Sequence, residues 1–335
     1  MDFGLSDDQR TLKAAASELL DAHASSARVR AVVDGDAPWD TELWKAMVDQ
    51  GWPGIAVAAA AGGVGLGWVE AALLLEEGGA HVAPAPILPQ LVSLEFLAGT
   101  AWGPSLVAGE TTACVAWSGE REVVPYAPSA DVAVMVRGGD LVVIDLADVR
   151  PARQAAMDVT RPLGWLDPSS LHGDRLGGES VVRRFLDVGA VAYSAELLGA
   201  AQHMLDVTVQ YAKDRIQFGQ PIGAFQAVKH RCADMLVDVE GMRSAVWWAA
   251  WCVAADHPDR SLAASTAKTW CDAAQRVMAS ALQVHGGIGF TWDHDLHLYL
   301  KRTQLDRMCF GDADWHRARL AKLLRTRVET GQRVL

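Results

Sequence analysis

Two stretches in the second half of the chain contain residues that could hold a phosphorylated ligand. They are residues 214–226, DRIQFGQPIGAFQ, and residues 283–290, QVHGGIGF. Arg215 offers a planar, permanently charged guanidinium that can bind a phosphate through two hydrogen bonds. Gly286 and Gly287 allow the backbone to approach a bulky ligand closely and to donate N–H groups to it. Taken alone, each stretch fits a plain helix–loop–helix joint or a glycine turn equally well.

The composition of the whole chain limits the classes of ligand and partner that it can bind. Its 335 residues are enough for two or three packed domains, and 21% of them are charged. The net charge of −11 argues against nucleic acid or an anionic membrane as a partner, so an anionic ligand needs a local basic patch. Lys229 and Arg231 could contribute to such a patch, although a surface role is equally expected.

Cysteine and histidine usage predicts neither disulfides nor a metal site. The five cysteines are scattered, as reduced thiols of a cytoplasmic protein would be, and the acidic N-terminus is no signal peptide. His294 and His297 could share a helix face, but no third ligand lies at useful spacing. The longest apolar run is broken by glycines, so no membrane span is expected.

The sequence pattern predicts an N-terminal helical domain over residues 1–108. Ser6 and Gln9 form a capping-box pattern ahead of the first amphipathic repeat. Helices are expected over 7–22, 39–50, 69–78 and 91–97.

The sequence pattern predicts a shortened central antiparallel β-domain over residues 109–186. It predicts a C-terminal four-helix bundle over residues 187–335. Short β-branched runs at 112–117, 130–137 and 140–146 read as strands, and 180–186 (SVVRRFL) as a closing strand. Long helices are expected over 188–214, 226–256, 261–286 and 315–330, with a shorter one over 294–302. The predicted fold class is therefore α+β.

The order of the two ligand-binding stretches is more specific than either stretch alone. R-x-Q-F-G-x-P-I-x-x-F-Q followed by Q-x-x-G-G-x-G-F resembles the C-terminal domain of the flavin-dependent acyl-CoA dehydrogenases. The N-terminal helical layout is similar to that family as well. The resemblance implies the acyl-CoA dehydrogenase fold, FAD as cofactor, and α,β-dehydrogenation of an acyl-CoA thioester.

In this family each flavin lies at a dimer interface and is held by residues from two subunits. The resemblance implies that residues of the two stretches described above contact the flavin of the neighbouring subunit. They are Arg215, Gln217, Phe218, Gln226, Gln283, His285, Gly286 and Gly287. The sequence therefore retains this half of a cofactor site.

The half that would serve the chain's own flavin and substrate is missing. The family's catalytic base is a glutamate at one of two places, and these correspond here to Gly311 and Gly189. Neither glycine can accept a proton. The family's Thr-Glu-Pro loop and Trp-Ile-Thr strand, which contact the flavin, are also absent from the β-domain.

Three hypotheses remain open at this point. The first is an accessory subunit that completes the FAD site of a longer subunit in a heterotetramer. Such two-component enzymes serve steroid side-chain and related degradation in actinobacteria. The second is a self-sufficient homo-oligomeric dehydrogenase with a displaced base, Asp312, although an N-cap role is also expected there. The third is a non-enzymatic relative whose pocket has closed.

Overall fold

In the computed structural model, which describes residues 4–331, the first part of the chain is helical. The helices are α1 (Asp7–His23), α2 (Ser26–Asp34), α3 (Thr41–Asp49), α4 (Trp68–Ala80), α5 (Ile87–Leu97) and α6 (Gly103–Val107). The predicted capping box is confirmed, since the Gln9 N–H donates to the Ser6 hydroxyl at 3.2 Å and the Ser6 N–H donates to the Gln9 side chain at 3.0 Å. Helices α2 and α6 were not predicted. Helix α6 has five residues, which is too short to show a helical repeat.

The middle of the chain forms two small sheets. One has the strand order β1-β3-β4-β6, and the other pairs β2 with β5. The strands are β1 (Ala113–Ala116), β2 (Glu122–Pro125), β3 (Val132–Arg137), β4 (Asp140–Asp145), β5 (Leu163–Leu166) and β6 (Asp174–Gly177). The antiparallel prediction was wrong for one pair, since β1 and β3 are parallel. The chain leaves this sheet to form β2 and returns in the same direction.

The C-terminal part is a helical bundle built around α7. Its helices are α7 (Glu179–Asp214), α8 (Gln226–Ala254), α9 (Arg260–Thr269), α10 (Cys271–His285), α11 (Leu296–Asp306) and α12 (Ala313–Glu329). Helix α7 packs against α4, α8, α9 and α10. A two-stranded hairpin, β7 (Ile216–Gln217) and β8 (Gln220–Pro221), joins α7 to α8. Within the described residues, none of the helices is both long and apolar enough to span a membrane.

Two predictions for this bundle were wrong. The run 180–186 is not a strand but the start of α7, with Phe185 and Val188 buried on one helical face. The single helix predicted over 261–286 is interrupted at Trp270, which separates α9 from α10. Trp270 lies so close to Gly241 of α8 that a β-carbon there would be 2.4 Å from the indole ring. Packing between helices thus decides where the long repeat breaks.

A buried ion network joins the middle of the chain to the C-terminal bundle, and Arg302 in it also donates to the Ala83 carbonyl of the N-terminal part at 3.0 Å. Arg161, from the segment before β5, pairs with Asp158 at 2.9 Å and also contacts Asp306 at the end of α11. Glu196 of α7 accepts from Arg161 at 3.4 Å and from Arg302 at 3.3 Å. These side chains are almost completely buried, so the removal of one would leave a partner charge unpaired. The network fixes α11, and with it the turn that follows, against α7.

Candidate functional site

The β7–β8 hairpin presents three of the predicted cofactor residues to solvent. Arg215 ends α7 with extended backbone, and its carbonyl accepts the Ile222 N–H at 2.8 Å. Phe218 and Gly219 form the two-residue turn with φ of 53° and 80°. Glycine adopts this conformation freely, but phenylalanine does so only at an energetic cost. Phe218 is also 92% exposed, which marks the hairpin tip as a surface built for contact.

The glycine-rich turn after α10 is open on its outer side. Residues Gly286–Phe290 form a 3₁₀ turn, and Gly286 has φ 63°. A β-carbon added to Gly286 or Gly287 would meet no atom within 4 Å. A ligand can therefore approach this backbone closely. The Gly286 N–H already donates to the Leu282 carbonyl, which leaves the Gly287 N–H to face a ligand.

Tyr211 and His285 bring the hairpin and the glycine turn to the same end of the molecule. Their rings stack with centroids 4.4 Å apart and an interplanar angle of 23°. The Tyr211 hydroxyl donates to the His285 carbonyl at 3.5 Å. Gln226 at the start of α8 and Gln283 in the last turn of α10 are both exposed. Neighbouring elements therefore present all eight residues predicted to bind a cofactor.

His285 has a buried nitrogen that lacks a partner. Its Nδ1 lies 2.8 Å from the Ala281 carbonyl, which can only accept, so Nδ1 carries the proton. Burial lowers the pKa of His285, which keeps the imidazole neutral and leaves Nε2 as an acceptor. No described residue donates to this Nε2. Unsatisfied buried acceptors are rare, so the ring is suited to contact with a further molecule.

A set of basic side chains without ion-pair partners surrounds the hairpin. Within residues 4–331, no carboxylate pairs with Lys213, Arg215, Lys229 or Arg231. Arginines elsewhere are mostly paired, as Arg276 is with Asp238. The local basic patch that an anionic ligand needs in this acidic protein is therefore present at the hairpin.

The two positions that correspond to the family's glutamates are closed by packing. A β-carbon on Gly189 of α7 would lie 2.0 Å from the Phe310 ring. Gly311 has φ 91°, and a β-carbon there would lie 2.7 Å from the Trp315 ring. Neither position can hold a glutamate without displacement of an aromatic side chain.

An aromatic cluster fills the space beside these glycines. It consists of Trp117, Phe185, Tyr193, Phe310 and Trp315. Phe310 lies at its centre, 5.1 Å from Phe185 and 5.6 Å from Tyr193 between ring centroids. The chain's own residues therefore occupy the place where the resemblance expects a base and a substrate.

Lys268 holds the turn that carries Phe310. Its buried ammonium donates to the carbonyls of Asp306 at 3.1 Å, Arg307 at 2.9 Å and Gly311 at 2.9 Å. His316 donates from Nε2 to the Phe310 carbonyl at 2.8 Å. Lys268 and His316 thus fix the turn from two sides in the conformation that packs Phe310 against Gly189.

Asp312 serves as the N-cap of α12. Its carboxylate accepts the Trp315 N–H at 2.8 Å, as the capping alternative predicted. We expect Asp312→Asn to leave the dehydrogenase activity that the resemblance implies unchanged, because asparagine caps as well as aspartate. Asp312→Ala should lower the free energy of unfolding by about 1 kcal/mol in a urea titration. A large loss of kcat in Asp312→Asn with normal stability would instead identify Asp312 as the base.

Several of these residues were not singled out from the sequence. Tyr211, Lys268 and Phe310 act through contacts with residues that are distant along the chain. Phe310 did carry a usable signal, because an aromatic residue directly precedes the glycine at one glutamate position.

Two neutral histidines, the buried His316 and the half-buried His203, predict acid sensitivity. Burial lowers the pKa of His316 to about 3 and that of His203 to about 4. Both folded values lie below the unfolded value, so stability is complete above about pH 6.5 and is lost as pH falls towards 4. Between pH 6.5 and 5 each histidine should cost about 2 kcal/mol. Urea titrations at pH 7 and pH 5 measure this.

The matched control for the acid effect is the exposed residue His230. His230→Gln should keep the full difference between pH 7 and pH 5. The double variant His203→Gln/His316→Gln should reduce this difference, even if it is less stable at both pH values. An unchanged difference in the double variant would contradict the assignment.

Comparisons with known proteins agree with the predicted family. The family description "Acyl-CoA dehydrogenase, N-terminal domain" matches residues 6–98, and "Acyl-CoA dehydrogenase, C-terminal domain" matches residues 177–324. Acyl-CoA dehydrogenase IpdE2 of Mycolicibacterium smegmatis is 34% identical over 304 residues, which cover 89% of this chain and 93% of that protein.

Two solved structures share the whole architecture. A Tcur3481-Tcur3483 steroid ACAD G363A variant is similar with a TM-score of 0.87 and 30% identity, over 96% of this chain and 99% of that chain. The ChsE4-ChsE5 complex from Mycobacterium tuberculosis is similar with a TM-score of 0.88 and 27% identity, over 97% and 99%. These matches confirm the predicted fold class. The chain belongs to the acyl-CoA dehydrogenase family.

Proposed function

We propose that this chain is the short subunit of an FAD-dependent acyl-CoA dehydrogenase and completes the FAD site of a longer partner subunit. The observation that carries the proposal is a contrast between two regions. The hairpin and glycine turn are open, basic and exposed, whereas the two glutamate positions are packed shut. The partner supplies the catalytic base, and this chain supplies binding groups only.

The residues of the open region match the parts of FAD. The Arg215 guanidinium would pair with a pyrophosphate oxygen, and the Gly287 N–H would donate to the same anion. The neutral Nε2 of His285 accepts from a hydroxyl or amino group rather than from phosphate. Gln217, Gln226 and Gln283 add amide groups, and Phe218 offers a flat apolar surface. When bound, FAD accepts the hydride that leaves the acyl-CoA.

Exposed apolar side chains near the hairpin and turn favour a protein partner at this end. Ile216, Phe218, Ile288, Phe290 and Trp292 are all large, hydrophobic and exposed. Such a group of side chains on one surface is typical of an interface that is covered in the assembled protein. The similar solved structures are named as complexes of two components, which agrees with a longer subunit as the partner.

The substrate class follows from the relatives. One similar solved structure is named a steroid ACAD, so we infer a steroid-derived or related acyl-CoA. The aromatic cluster leaves no room for this substrate beside Gly189, so it binds on the partner's side of the shared flavin. The compartment we infer is the cytoplasm.

Co-expression with a longer homologue that carries the glutamate tests the proposal. We expect about one FAD for each pair of subunits, and activity only in the pair. A Glu→Gln change in the longer subunit should abolish activity. The proposal is wrong if this chain, purified alone, binds one FAD per chain and oxidises acyl-CoA.

A further inference from the structure

A buried histidine beyond the glycine turn has no hydrogen-bond partner at either ring nitrogen. His297 lies in the first turn of α11 and is 8% exposed. A neutral imidazole carries one N–H donor and one acceptor, and neither nitrogen of His297 has a partner among the described residues. Burial of unsatisfied polar atoms costs folding free energy and is rare in native proteins. This side chain is therefore suited to contact with a further molecule.

An exposed tryptophan packs against this histidine. The Trp292 ring meets the His297 ring edge-on, with ring centroids 4.4 Å apart and planes at 62°. Trp292 is 57% exposed, and it lies two residues after the glycine turn that ends at Phe290. Its backbone is held in place, because Arg30 of α2 donates to the Trp292 carbonyl at 2.6 Å. Rotation of the indole alone would therefore uncover the side of His297 that faces it.

A cation without an ion-pair partner contacts the same indole ring. The Lys301 ammonium lies over Trp292, 4.3 Å from the ring centroid, and pairs with no carboxylate within residues 4–331. Lys301 follows His297 by four residues on α11, so the two side chains share a helix face. The nearby Asp295 is already paired, since its carboxylate accepts from Arg30 at 2.8 Å. A carboxylate that replaced the indole could accept from both Lys301 and His297.

We propose that a carboxylate side chain of the longer subunit binds between His297 and Lys301, in the space that the Trp292 ring occupies in the isolated chain. This inference rests on the proposed function, because it requires that subunit as the partner. The exposed apolar residues Ile288, Phe290 and Trp292 place the site within the surface proposed for the partner. On assembly Trp292 turns outward onto that surface. The carboxylate then pairs with the Lys301 ammonium and accepts the His297 N–H.

Opposite effects of one substitution identify a side chain that serves the partner rather than the fold. His297→Leu replaces unsatisfied polar atoms by apolar ones, so the Tm of the isolated chain should rise by about 2 °C. The same change should raise the dissociation constant of the FAD-loaded pair with the longer homologue by about tenfold. The reason is that a hydrogen bond to a charged group is lost. Analytical ultracentrifugation of the two subunits over a range of concentrations measures this constant.

Further variants keep the test decisive if His297→Leu folds poorly. Lys301→Gln removes the unpaired cation and should raise the same dissociation constant by about threefold, an effect that added salt should reduce. Two matched controls change exposed side chains that make no hydrogen bond within residues 4–331. They are Asp293→Asn, in the same segment, and His172→Leu, in the middle of the chain, and neither should weaken assembly.

The outcomes separate this inference from the proposed function. A pair that forms with wild-type affinity in both His297→Leu and Lys301→Gln overturns the inference alone. A lower Tm in His297→Leu together with unchanged assembly of Lys301→Gln also overturns it, because the histidine then has a structural role. If no longer homologue pairs with the wild-type chain, the proposed function fails and this inference fails with it.

Discussion

Arg215→Ala is expected to raise the dissociation constant for FAD of the assembled enzyme by about 30-fold or more. The guanidinium has no ion-pair partner among residues 4–331, so its charge is available for the pyrophosphate. The loss of one partner of a desolvated, hydrogen-bonded charge pair costs about 2–5 kcal/mol. Release of flavin on dilution, followed by its fluorescence, measures this constant, and activity should return at high FAD.

Two further variants make this test specific. Arg325→Ala removes another exposed arginine that pairs with no carboxylate within the described range, and it should leave FAD affinity unchanged. Arg215→Lys should recover only part of the affinity, because an ammonium keeps the charge but loses the two-point geometry. An Arg215→Ala complex with wild-type FAD affinity would contradict the proposed cofactor role.

Gly189→Glu is expected to destabilise the chain strongly without creating a catalytic base. The new side chain would have to displace Phe310, whose ring lies 2.0 Å from the β-carbon position. Overpacking costs about 1–3 kcal/mol, and burial of a carboxylate without donors adds a similar amount. A total near 4 kcal/mol corresponds to a decrease of about 10 °C in Tm, measurable by circular dichroism.

Alanine substitutions at two buried helical glycines isolate the packing effect. At Gly78 of α4 a β-carbon would meet nothing within 4 Å, so Gly78→Ala should stabilise the chain by about 0.5–1 kcal/mol. Gly189→Ala should destabilise it by about 1–3 kcal/mol.

To test whether a glutamate at position 189 can act as a catalytic base, the partner subunit must lack its own base. The Gly189→Glu variant of this chain, in complex with a longer subunit whose catalytic glutamate is replaced by glutamine, should be inactive. Activity in that complex, with an unchanged Tm, would show that the space beside Gly189 can hold a catalytic glutamate.

The two glycines at the predicted glutamate positions could be recognised from the sequence, whereas the packing that requires glycine at 189 could not. Glycines at 189 and 311 are visible in the sequence and exclude proton transfer by themselves. The Phe310 ring that makes glycine necessary at 189 comes from a distant turn, held there by Lys268 and His316. From the packing of α7 against that turn, we expect that a glutamate at position 189 would not act as a catalytic base.

Errors in the predicted elements have similar physical causes. The β-branched pair Val181 and Val182 made 180–186 look like a strand. Val181, Phe185 and Val188 nevertheless repeat at helical spacing, and that periodicity decided the structure. The direction of β1 against β3 depends on the path that the chain takes through β2, which no local pattern encodes. The domain limits 1–108, 109–186 and 187–335 remain predictions.

The sequence by itself determined the features that depend on near neighbours or on a spaced motif. These are the capping box at Ser6 and the α+β class, which the structure bears out. The cofactor role of the residues from Arg215 to Gly287 and the loss of the catalytic glutamate remain predictions. Only the tertiary structure decided that the hairpin and the glycine turn lie at the same end of the molecule, and that Phe310 packs against Gly189. Each of these requires contacts between elements distant along the chain, which packing and burial select and local propensity does not record.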